Sequence, residues 1–385
     1  MRKRGLLARV FLLRQTNKKL PPGPAISTIG GRRKPMHSRT KYVLLLAIFL
    51  IATTAIAATQ PVVVLIATGG TIAMKIDPVT KAIVPAISGE DLLATVPDVA
   101  KYAKMEVNNI SNVPSAYMDP ARWVALSKEV NRTLARPEVA GVIVSHGTDT
   151  LEETAWWLDL TTDSDKPIVL IGAQRNASES DFDGPRNLLN AARICIDPQS
   201  KGKGAMLVMN SQINAARDVT KTNTSSVETF KSGDWGFLGV VDFDRIVYSR
   251  SPLRRQHLPI KLDTMPTVDI ISTYGGVDGY LIKAAVDHGA KGIVVQALGW
   301  GNVNPATSAL IKETIAKGIP VVITSRVPNG RVLPNYGYEG GGKVLADAGA
   351  VMGDDLSPQK ARILLILLLQ NGVQGQKDLQ AAFSR

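Results

Sequence analysis

Residues 62–72 read VVVLIATGGTI, and this stretch combines a hydrophobic strand with a turn suited to ligand binding. Its apolar start, rich in Val and Ile, is typical of a strand covered on both faces, and such strands belong to parallel sheets flanked by helices. Gly69 and Gly70 end the strand and leave space for a ligand beside the hydroxyl of Thr71. The same residues also fit a plain strand-to-helix turn in which Thr71 is only a cap.

A second stretch repeats this design. Residues 139–145 have the composition of a buried strand and lead directly into the turn residues HGTDT at 146–150. Thr150 and Glu153 have the spacing of a capping box, which predicts that a helix starts there and that the preceding residues form the turn. Because the carboxyl ends of parallel strands meet at one edge of a sheet, we expect both turns on that edge, where ligands bind in such folds.

The remaining chain alternates strand-like and helical segments. Further strands are predicted at 167–173, 205–210, 238–241, 268–274, 292–298 and 320–325. Helices are predicted to begin at Asp119-Pro120, at Asp183-Gly184-Pro185 and at Ser357-Pro358, where a capping residue precedes or adjoins a proline. The last of these helices contains the apolar run Ala361–Leu369, which is too short for a membrane span and indicates a buried core helix.

This alternation predicts an α/β protein with a larger N-terminal domain, built on a mainly parallel, helix-flanked sheet, and a smaller C-terminal α/β domain. The predicted boundaries are an N-terminal extension and signal peptide at 1–57 and a catalytic domain at 58–247. A linker at 248–266, rich in proline, and a C-terminal domain at 267–385 follow.

The net charge of +12 does not indicate a nucleic-acid-binding protein. Residues 1–57 contain twelve Lys and Arg and no Asp or Glu, so the rest of the chain has 33 basic and 33 acidic residues. Residues 58–385 thus have no excess of positive charge that would favour binding to a polyanion, and we expect no nucleic-acid partner.

The basic N-terminal segment instead has the order of an export signal. Arg39 and Lys41 precede the apolar run 42–51, and small residues follow up to Ala57 and Ala58. We expect cleavage near Ala57/Ala58 and a periplasmic or secreted protein; a retained membrane anchor is the less favoured alternative, because the run is shorter than the ~20 residues of a spanning helix.

Two further expectations concern single residues. Met36 stands just ahead of a signal of ordinary length, so we expect it to be the true start, with residues 1–35 an artefact of the start assignment or a disordered lead. The only cysteine, Cys195, has isoleucine on both sides and is expected to be a buried thiol in a helix, without a disulfide or a catalytic role.

Several common types of site lack their sequence patterns. The four histidines show no metal-ligand spacing, the glycines form neither a P-loop nor G-x-G-x-x-G, and no G-x-S-x-G elbow is present. We therefore expect no metal and no cofactor.

The candidate chemistry lies in Thr71, Thr148, Asp149 and Lys221, which occupy predicted loops at one sheet edge. A threonine hydroxyl becomes a nucleophile when a neighbouring group takes its proton and another stabilises the oxyanion. A Thr–Lys–Asp relay can do the first, and backbone amides of the glycine turn can do the second. The alternative assigns Thr148 to local turn bonding, Asp149 to a helix N-terminus and Lys221 to solvent.

The segments ATGGTIA at 67–73 and SHGTDT at 145–150 resemble the two signature motifs of the L-asparaginases, specifically the bacterial exported type II group. The resemblance covers about residues 62–385. Further matching segments follow in the family's order: EETA at 152–155, DGP at 183–185, RDVTKTNT at 217–224, SRVP at 325–328 and PQKAR at 358–362.

The resemblance implies a specific reaction. Thr71 would be the nucleophile that attacks the side-chain amide of L-asparagine, forms an acyl-enzyme and releases ammonia, and water would then release L-aspartate. Thr148, Lys221 and Asp149 match the supporting Thr–Lys–Asp set, with Asp149 also binding the substrate's α-amino group. L-Glutamine is a possible second substrate.

The resemblance also implies a binding site shared between subunits. Ser115 matches the serine that holds the substrate α-carboxylate, and Gly70 and Gly147 are further substrate-binding positions. The family forms homotetramers in which a neighbouring subunit completes the site, and Asn302 matches the asparagine contributed by that neighbour.

Three departures from the family pattern concern substrate binding. Residues 81–85, KAIVP, contain no tyrosine where the family often places one to contact the nucleophile. Ala116 follows Ser115 where a Gln or Glu is usual, and Glu339 is the candidate for the partner glutamate, although its spacing differs. The preference between asparagine and glutamine is therefore open, and an amidase for another amide, such as a β-aspartyl or D-configured compound, is one alternative. A periplasmic binding protein is the alternative outside enzymes.

Overall fold

The structure is a computed structural model that describes residues 60–385, so the predicted signal peptide and Met36 lie outside the described residues. Within this range the chain forms sixteen strands and nine α-helices. The strands are β1 (Val62–Ala67), β2 (Met74–Ile76), β3 (Ile83–Pro85), β4 (Lys104–Asn109), β5 (Val139–Ser145), β6 (Ile168–Ile171), β7 (Ala205–Met209), β8 (Gln212–Ala215), β9 (Thr220–Lys221), β10 (Phe230–Lys231), β11 (Gly239–Val241), β12 (Ile246–Tyr248), β13 (Val268–Ser272), β14 (Gly292–Ala297), β15 (Val321–Ser325) and β16 (Val351–Met352). The helices are α1 (Gly89–Ala94), α2 (Pro120–Leu134), α3 (Leu151–Thr161), α4 (Gly184–Ile196), α5 (Tyr280–Asp287), α6 (Pro305–Ala316), α7 (Gly342–Asp347), α8 (Pro358–Gln370) and α9 (Gln376–Phe383).

The larger sheet has eight strands in the order β12-β11-β8-β7-β6-β5-β1-β4. Its five strands from β4 to β7 are parallel, and the three at the other edge are antiparallel. Helices α2 and α3 pack on one face and α1 and α4 on the other, so all six residues of β1 are buried. The predicted helix-flanked, mainly parallel sheet is confirmed.

The smaller sheet contains four parallel strands in the order β13-β14-β15-β16. Helices α5, α6 and α7 cover one face, and α8 and α9 cover the other. The α8 leucines share one hydrophobic cluster with α2, α3 and strands of both sheets. Helix α8 is therefore a buried core helix, as the sequence predicts. No helix within residues 60–385 is long and apolar enough to cross a membrane.

Local sequence signals place the starts of the three predicted helices, α2, α4 and α8, correctly. Asp119 accepts a hydrogen bond from the Arg122 backbone N–H at 2.8 Å, and Pro120 is the first residue of α2. Ser357 caps α8 in the same way. Cys195 lies in α4 with 2% of its surface exposed, which confirms the predicted buried thiol.

One local prediction is wrong. The Thr150 side chain makes no capping bond to α3, because its hydroxyl donates instead to the backbone carbonyl of Ser115, in the segment after β4, at 2.8 Å. The structure also contains a hairpin at 74–85 that the sequence patterns above do not predict. This hairpin consists of the antiparallel pair β2 and β3, whose turn is held by the Asp77 carboxylate accepting from the backbone of Thr80 at 2.6 Å.

The predicted linker at 248–266 corresponds to a stretch with little regular structure. Tyr248 is the last residue of β12, and residues 249–267 contain no helix or strand. Two arginines attach the stretch to the protein body: Arg254 contacts Asp355 at 2.5 Å, and Arg255 contacts the buried Asp159 at 3.4 Å. The domain boundaries themselves remain predictions.

Candidate active site

The two glycine turns are brought together by the pairing of β1 with β5. Ala67 is the register partner of Ser145, and the backbone N–H of Thr68 donates to the Ser145 carbonyl at 3.0 Å. The turns that follow these strands then touch. A Cβ placed on Gly70 would lie 2.1 Å from the Cα of Gly147, so the two backbones are in direct contact.

Ser115 forms a third side of this edge. It follows β4, the strand on the other side of β1, and only 5% of its surface is exposed. Its hydroxyl accepts from the Asp149 backbone N–H at 3.2 Å, and a Cβ on Gly147 would lie 2.6 Å from that oxygen. Gly70, Ser115 and Gly147 therefore lie together at the carboxyl ends of three adjacent parallel strands, β1, β4 and β5.

Lys221 reaches the second turn from a different part of the fold. It lies in the short strand β9, and its Nζ donates to Thr148 Oγ1 at 2.9 Å and to Asp149 Oδ1 at 2.8 Å. Its backbone N–H donates to Glu152 Oε2 at 2.5 Å. The predicted Thr148, Asp149 and Lys221 thus form one hydrogen-bonded cluster.

The three side chains of this cluster differ in solvent exposure. Thr148 has 4% of its surface exposed, the Lys221 side chain 18%, and the Asp149 side chain 69%. A carboxylate open to water is available to bind a charged group, and a largely enclosed lysine beside a buried hydroxyl is suited to proton transfer.

Thr71 begins a short 3-10 turn, residues 71–73, directly after the contact with Gly147, and is half-buried. No hydrogen bond within residues 60–385 joins its hydroxyl to Thr148, Asp149 or Lys221. The two turns are therefore in contact, but the Thr71 hydroxyl is not hydrogen-bonded to the Thr148, Asp149 and Lys221 cluster.

The C-terminal candidates lie outside this cluster. Asn302 follows β14, where its Oδ1 accepts from the Gly342 backbone N–H at 3.2 Å. Glu339 pairs with Lys312 at 2.7 Å and accepts from the Ser308 hydroxyl at 2.6 Å. Neither residue makes any of the hydrogen bonds that connect the second turn with Lys221.

Two family models match the chain. The model described as Asparaginase, N-terminal, matches residues 62–254, and the Glutaminase/Asparaginase C-terminal domain matches residues 267–383. The chain belongs to the asparaginase family. This confirms the family that the two turn motifs indicate, while the exported type II group remains a prediction.

Asparaginase relatives match along most of the chain. L-asparaginase 2 of Bacillus subtilis is 39% identical over 333 residues, covering 84% of this chain and 86% of the relative. Probable L-asparaginase periplasmic of Haemophilus influenzae is 36% identical over 322 residues, covering 81% and 90%. The crystal structure of a probable cytoplasmic L-asparaginase from Campylobacter jejuni has a TM-score of 0.77 and 34% identity, covering 85% of this chain and 100% of that one.

The motif at 145–150 contains a buried histidine, His146, to which the sequence analysis assigns no role. The His146 ring donates from Nδ1 to the Gly147 carbonyl at 2.7 Å, and its Nε2 accepts from the Thr154 hydroxyl at 3.0 Å. Thr154 in turn accepts from Trp123 Nε1 at 2.8 Å. Burial lowers the pKa of His146 to about 4, against the opposing effect of the Gly147 bond, so the ring is neutral at pH 7. The pattern of a histidine next to the glycine of a turn is the signal that could have marked it.

Glu152 and Glu153, at the start of α3, were recognised as part of a motif but not as site residues. Glu152 holds the backbone of Lys221, as described above. Burial and then the neighbouring charge of Glu152 raise the pKa of Glu153 to about 7, although Arg362 and Lys360 oppose this rise. Among residues 60–385, no group of three or more His, Cys, Asp or Glu side chains is arranged to hold a metal ion.

Proposed function

We propose that this protein is an exported, type II L-asparaginase that converts L-asparagine to L-aspartate and ammonia, with Thr71 as the nucleophile. The observation that carries the proposal is the contact of Lys221 Nζ with both Thr148 and Asp149, beside the turn that bears Thr71. The names of the relatives, which are L-asparaginases, support the substrate.

The reaction has two acyl-transfer steps. The Thr71 oxygen attacks the carbon of the substrate side-chain amide, and backbone N–H groups of the glycine turns stabilise the oxyanion. The bond between carbon and nitrogen then breaks, and ammonia leaves with the proton from the Thr71 hydroxyl. In the second step, water attacks the ester and releases aspartate and the free hydroxyl. Lys221 and Thr148 carry protons between these groups, and Asp149 keeps the lysine in place.

Substrate binding uses the exposed end of the cluster. Asp149 has the charge and exposure to bind the substrate's α-amino group, and the Ser115 hydroxyl, next to the Asp149 backbone N–H, is the candidate to hold the α-carboxylate. Gly70 and Gly147 allow the two turns to lie in contact, which brings both turn backbones to the substrate. Ala116 removes a polar contact next to Ser115, which favours a relaxed preference that includes L-glutamine or another short amide.

Ammonia release by the purified protein tests the proposal. The wild type should release ammonia from L-asparagine, and Thr71→Ala should lose at least about a thousandfold in kcat because the acyl-enzyme cannot form. Thr71→Ser keeps a hydroxyl and is the matched variant expected to retain measurable turnover. Parallel assays with L-glutamine and a β-aspartyl amide define the preference. Unchanged turnover in Thr71→Ala, or binding of asparagine without turnover by the wild type, would contradict the proposal.

We also propose a homotetramer in which Asn302 enters the site of a neighbouring subunit. Coexpression of Thr71→Ala and Asn302→Ala chains tests it, because only mixed pairs contain a site with both residues. On statistical pairing, roughly a quarter of the wild-type sites should be restored. Activity no higher than that of Asn302→Ala alone would place Asn302 in its own chain's site or in none.

Export belongs to the proposal as well. The names of the relatives include a periplasmic protein from Haemophilus influenzae and a cytoplasmic one from Campylobacter jejuni, so they do not favour one compartment. N-terminal sequencing of the protein from the producing cells should give a chain that begins near Ala58. A chain beginning upstream of residue 42 in the cytoplasmic fraction would contradict export.

A further inference from the structure

A buried lysine of the C-terminal half is attached to the segment that carries Lys221. Lys360 lies in the first turn of α8 and has 2% of its surface exposed. Its Nζ donates to the backbone carbonyl of Arg217 at 2.9 Å and also to that of Val219. Val219 is two residues before Lys221. The Lys360 ammonium group therefore binds the backbone directly before the candidate proton-transfer lysine.

The segment 217–221 is therefore held from two sides. Lys360 binds its carbonyls, and Glu152 binds the Lys221 N–H at 2.5 Å. Glu152 and Lys360 belong to helices that are themselves joined, since the Lys360 carbonyl accepts from Trp156 Nε1 of α3 at 3.1 Å. Helix α3 starts directly after Thr148 and Asp149, so the lysine and its two partners are fixed to the same framework.

Stability alone does not explain a lysine at this position. Burial lowers the pKa of Lys360 to about 8, even though Glu152, Asp218 and Asp355 oppose the shift. A buried charge costs free energy, and well-packed apolar replacements of buried ionic groups are often neutral or stabilising. Ile363 and Leu364, one turn farther along α8, belong to the buried hydrophobic cluster. What an apolar side chain cannot supply is the pair of hydrogen bonds to segment 217–221.

We propose that Lys360 is a positioning residue for the reaction proposed above: its ammonium group holds segment 217–221 so that Lys221 Nζ stays within hydrogen-bond distance of both Thr148 and Asp149. The inference rests on the proposed function of Lys221. It assigns to the C-terminal half of each chain a role in the active site of that same chain, separate from the expected entry of Asn302 into a neighbour's site.

Lys360→Met is the primary test, and Lys166→Met is a matched control. Lys166 Nζ also donates to two backbone carbonyls, those of Leu134 at 2.8 Å and Arg136 at 2.6 Å, but it precedes β6 at the amino edge of the sheet, opposite the site. Lys360→Met should lower kcat by about ten- to a hundredfold, because a displaced group loses its alignment, while KM changes less than about threefold. Lys166→Met should leave kcat within about twofold of wild type, whatever its effect on Tm. Wild-type kcat in Lys360→Met, or an equal loss in both variants, would overturn the inference.

A double variant separates positioning from general destabilisation. If Lys360 acts through Lys221, the kcat of Lys221→Met/Lys360→Met should equal that of Lys221→Met within about twofold, since the positioned group is already gone. Losses that multiply would mean that Lys360 acts elsewhere and would overturn the inference. If Lys360→Met does not fold, Lys360→Gln replaces it. Its amide nitrogen is one bond closer to the backbone than Lys360 Nζ and carries no charge, so kcat should still fall by about tenfold, and wild-type kcat would overturn the inference. Full activity in Lys221→Met and Thr71→Ala would instead contradict the proposed function itself.

Discussion

Gly70 and Gly147 lie against each other so closely that a Cβ on Gly70 would be 2.1 Å from both the N and the Cα of Gly147. The first glycine ends the turn after β1, and the second belongs to the turn after β5. Gly70 also has a φ of 86°, in a region that side chains with a Cβ rarely adopt. The contact is made by backbone atoms, which cannot move aside as a flexible side chain can.

Gly70→Ala should therefore separate the two turns and inactivate the enzyme. We expect a loss of about 1–3 kcal/mol in the free energy of unfolding from backbone strain, and a loss of kcat/KM of at least about a hundredfold. Thermal unfolding and ammonia release measure the two effects. Gly275→Ala is the control, because a Cβ at Gly275 meets no atom within 4 Å. Equal behaviour of the two variants would show that the contact is not required.

Lys221→Met should act on the chemical step. The substitution removes the group that contacts Thr148 and Asp149 but keeps most of the side-chain length, so we expect kcat to fall by about 10²–10⁴-fold with a small change in KM. Lys231→Met on the neighbouring strand is the control, since the Lys231 ammonium group pairs with the exposed Glu228. Steady-state kinetics distinguish the outcomes, and a pure KM effect at Lys221 would mean that the lysine only binds substrate.

His146 should make the fold sensitive to acid. Its pKa is about 4 in the folded protein and near the usual 6.5 in the unfolded chain, so the unfolded state binds more protons between these values. The free energy of unfolding should therefore decrease as the pH falls from 6.5 to 4, by about 3 kcal/mol from this residue. Urea unfolding at several pH values should show a shallower decrease for His146→Gln. The control His288→Gln alters an exposed histidine at the end of α5, and an identical change in both variants would argue against the assignment.

Asp355 should stabilise the junction between the two halves of the chain. Its carboxylate accepts from Arg217 at 2.7 Å, from Arg254 at 2.5 Å and from Trp235 Nε1 at 3.1 Å. Burial alone would raise the pKa of Asp355, but the hydrogen bonds from Arg217 and Arg254 lower it to about 2. A carboxylate with a lowered pKa contributes stability above its usual value of 3.8, and this stability is lost as the pH falls toward 2.

Asp355→Asn should therefore cost about 3–5 kcal/mol at pH 7, because two partly buried guanidinium groups lose their counter-charge. The acid dependence between pH 4 and pH 2 should also decrease by about 2 kcal/mol. Asp347→Asn is the control, since Asp347 forms an exposed pair with Lys343 and should change stability by less than about 1 kcal/mol. A loss at Asp355 no larger than that at Asp347 would contradict the proposed junction.

Local signals in the sequence account for much of the fold. Strand β5 has the predicted ends, and α2 and α8 begin at their predicted caps, because apolar runs, prolines and capping side chains act within a few residues. The short edge strand β4 and the β2–β3 hairpin were missed. Their residues alternate or mix polar and apolar side chains, and their pairing depends on partners that local patterns do not specify.

Strand composition and turn residues are local properties, so the parallel α/β plan and the two glycine turns can be predicted from residue order. The same local patterns single out the candidates Thr71, Thr148, Asp149 and Lys221. How these groups meet depends on contacts between distant parts of the chain. Lys221 is 72 residues from Asp149, and Lys360 is 141 residues from Val219, yet hydrogen bonds join both pairs. Such contacts depend on the order of strands and on the packing of α3 against α8, and no local pattern encodes them.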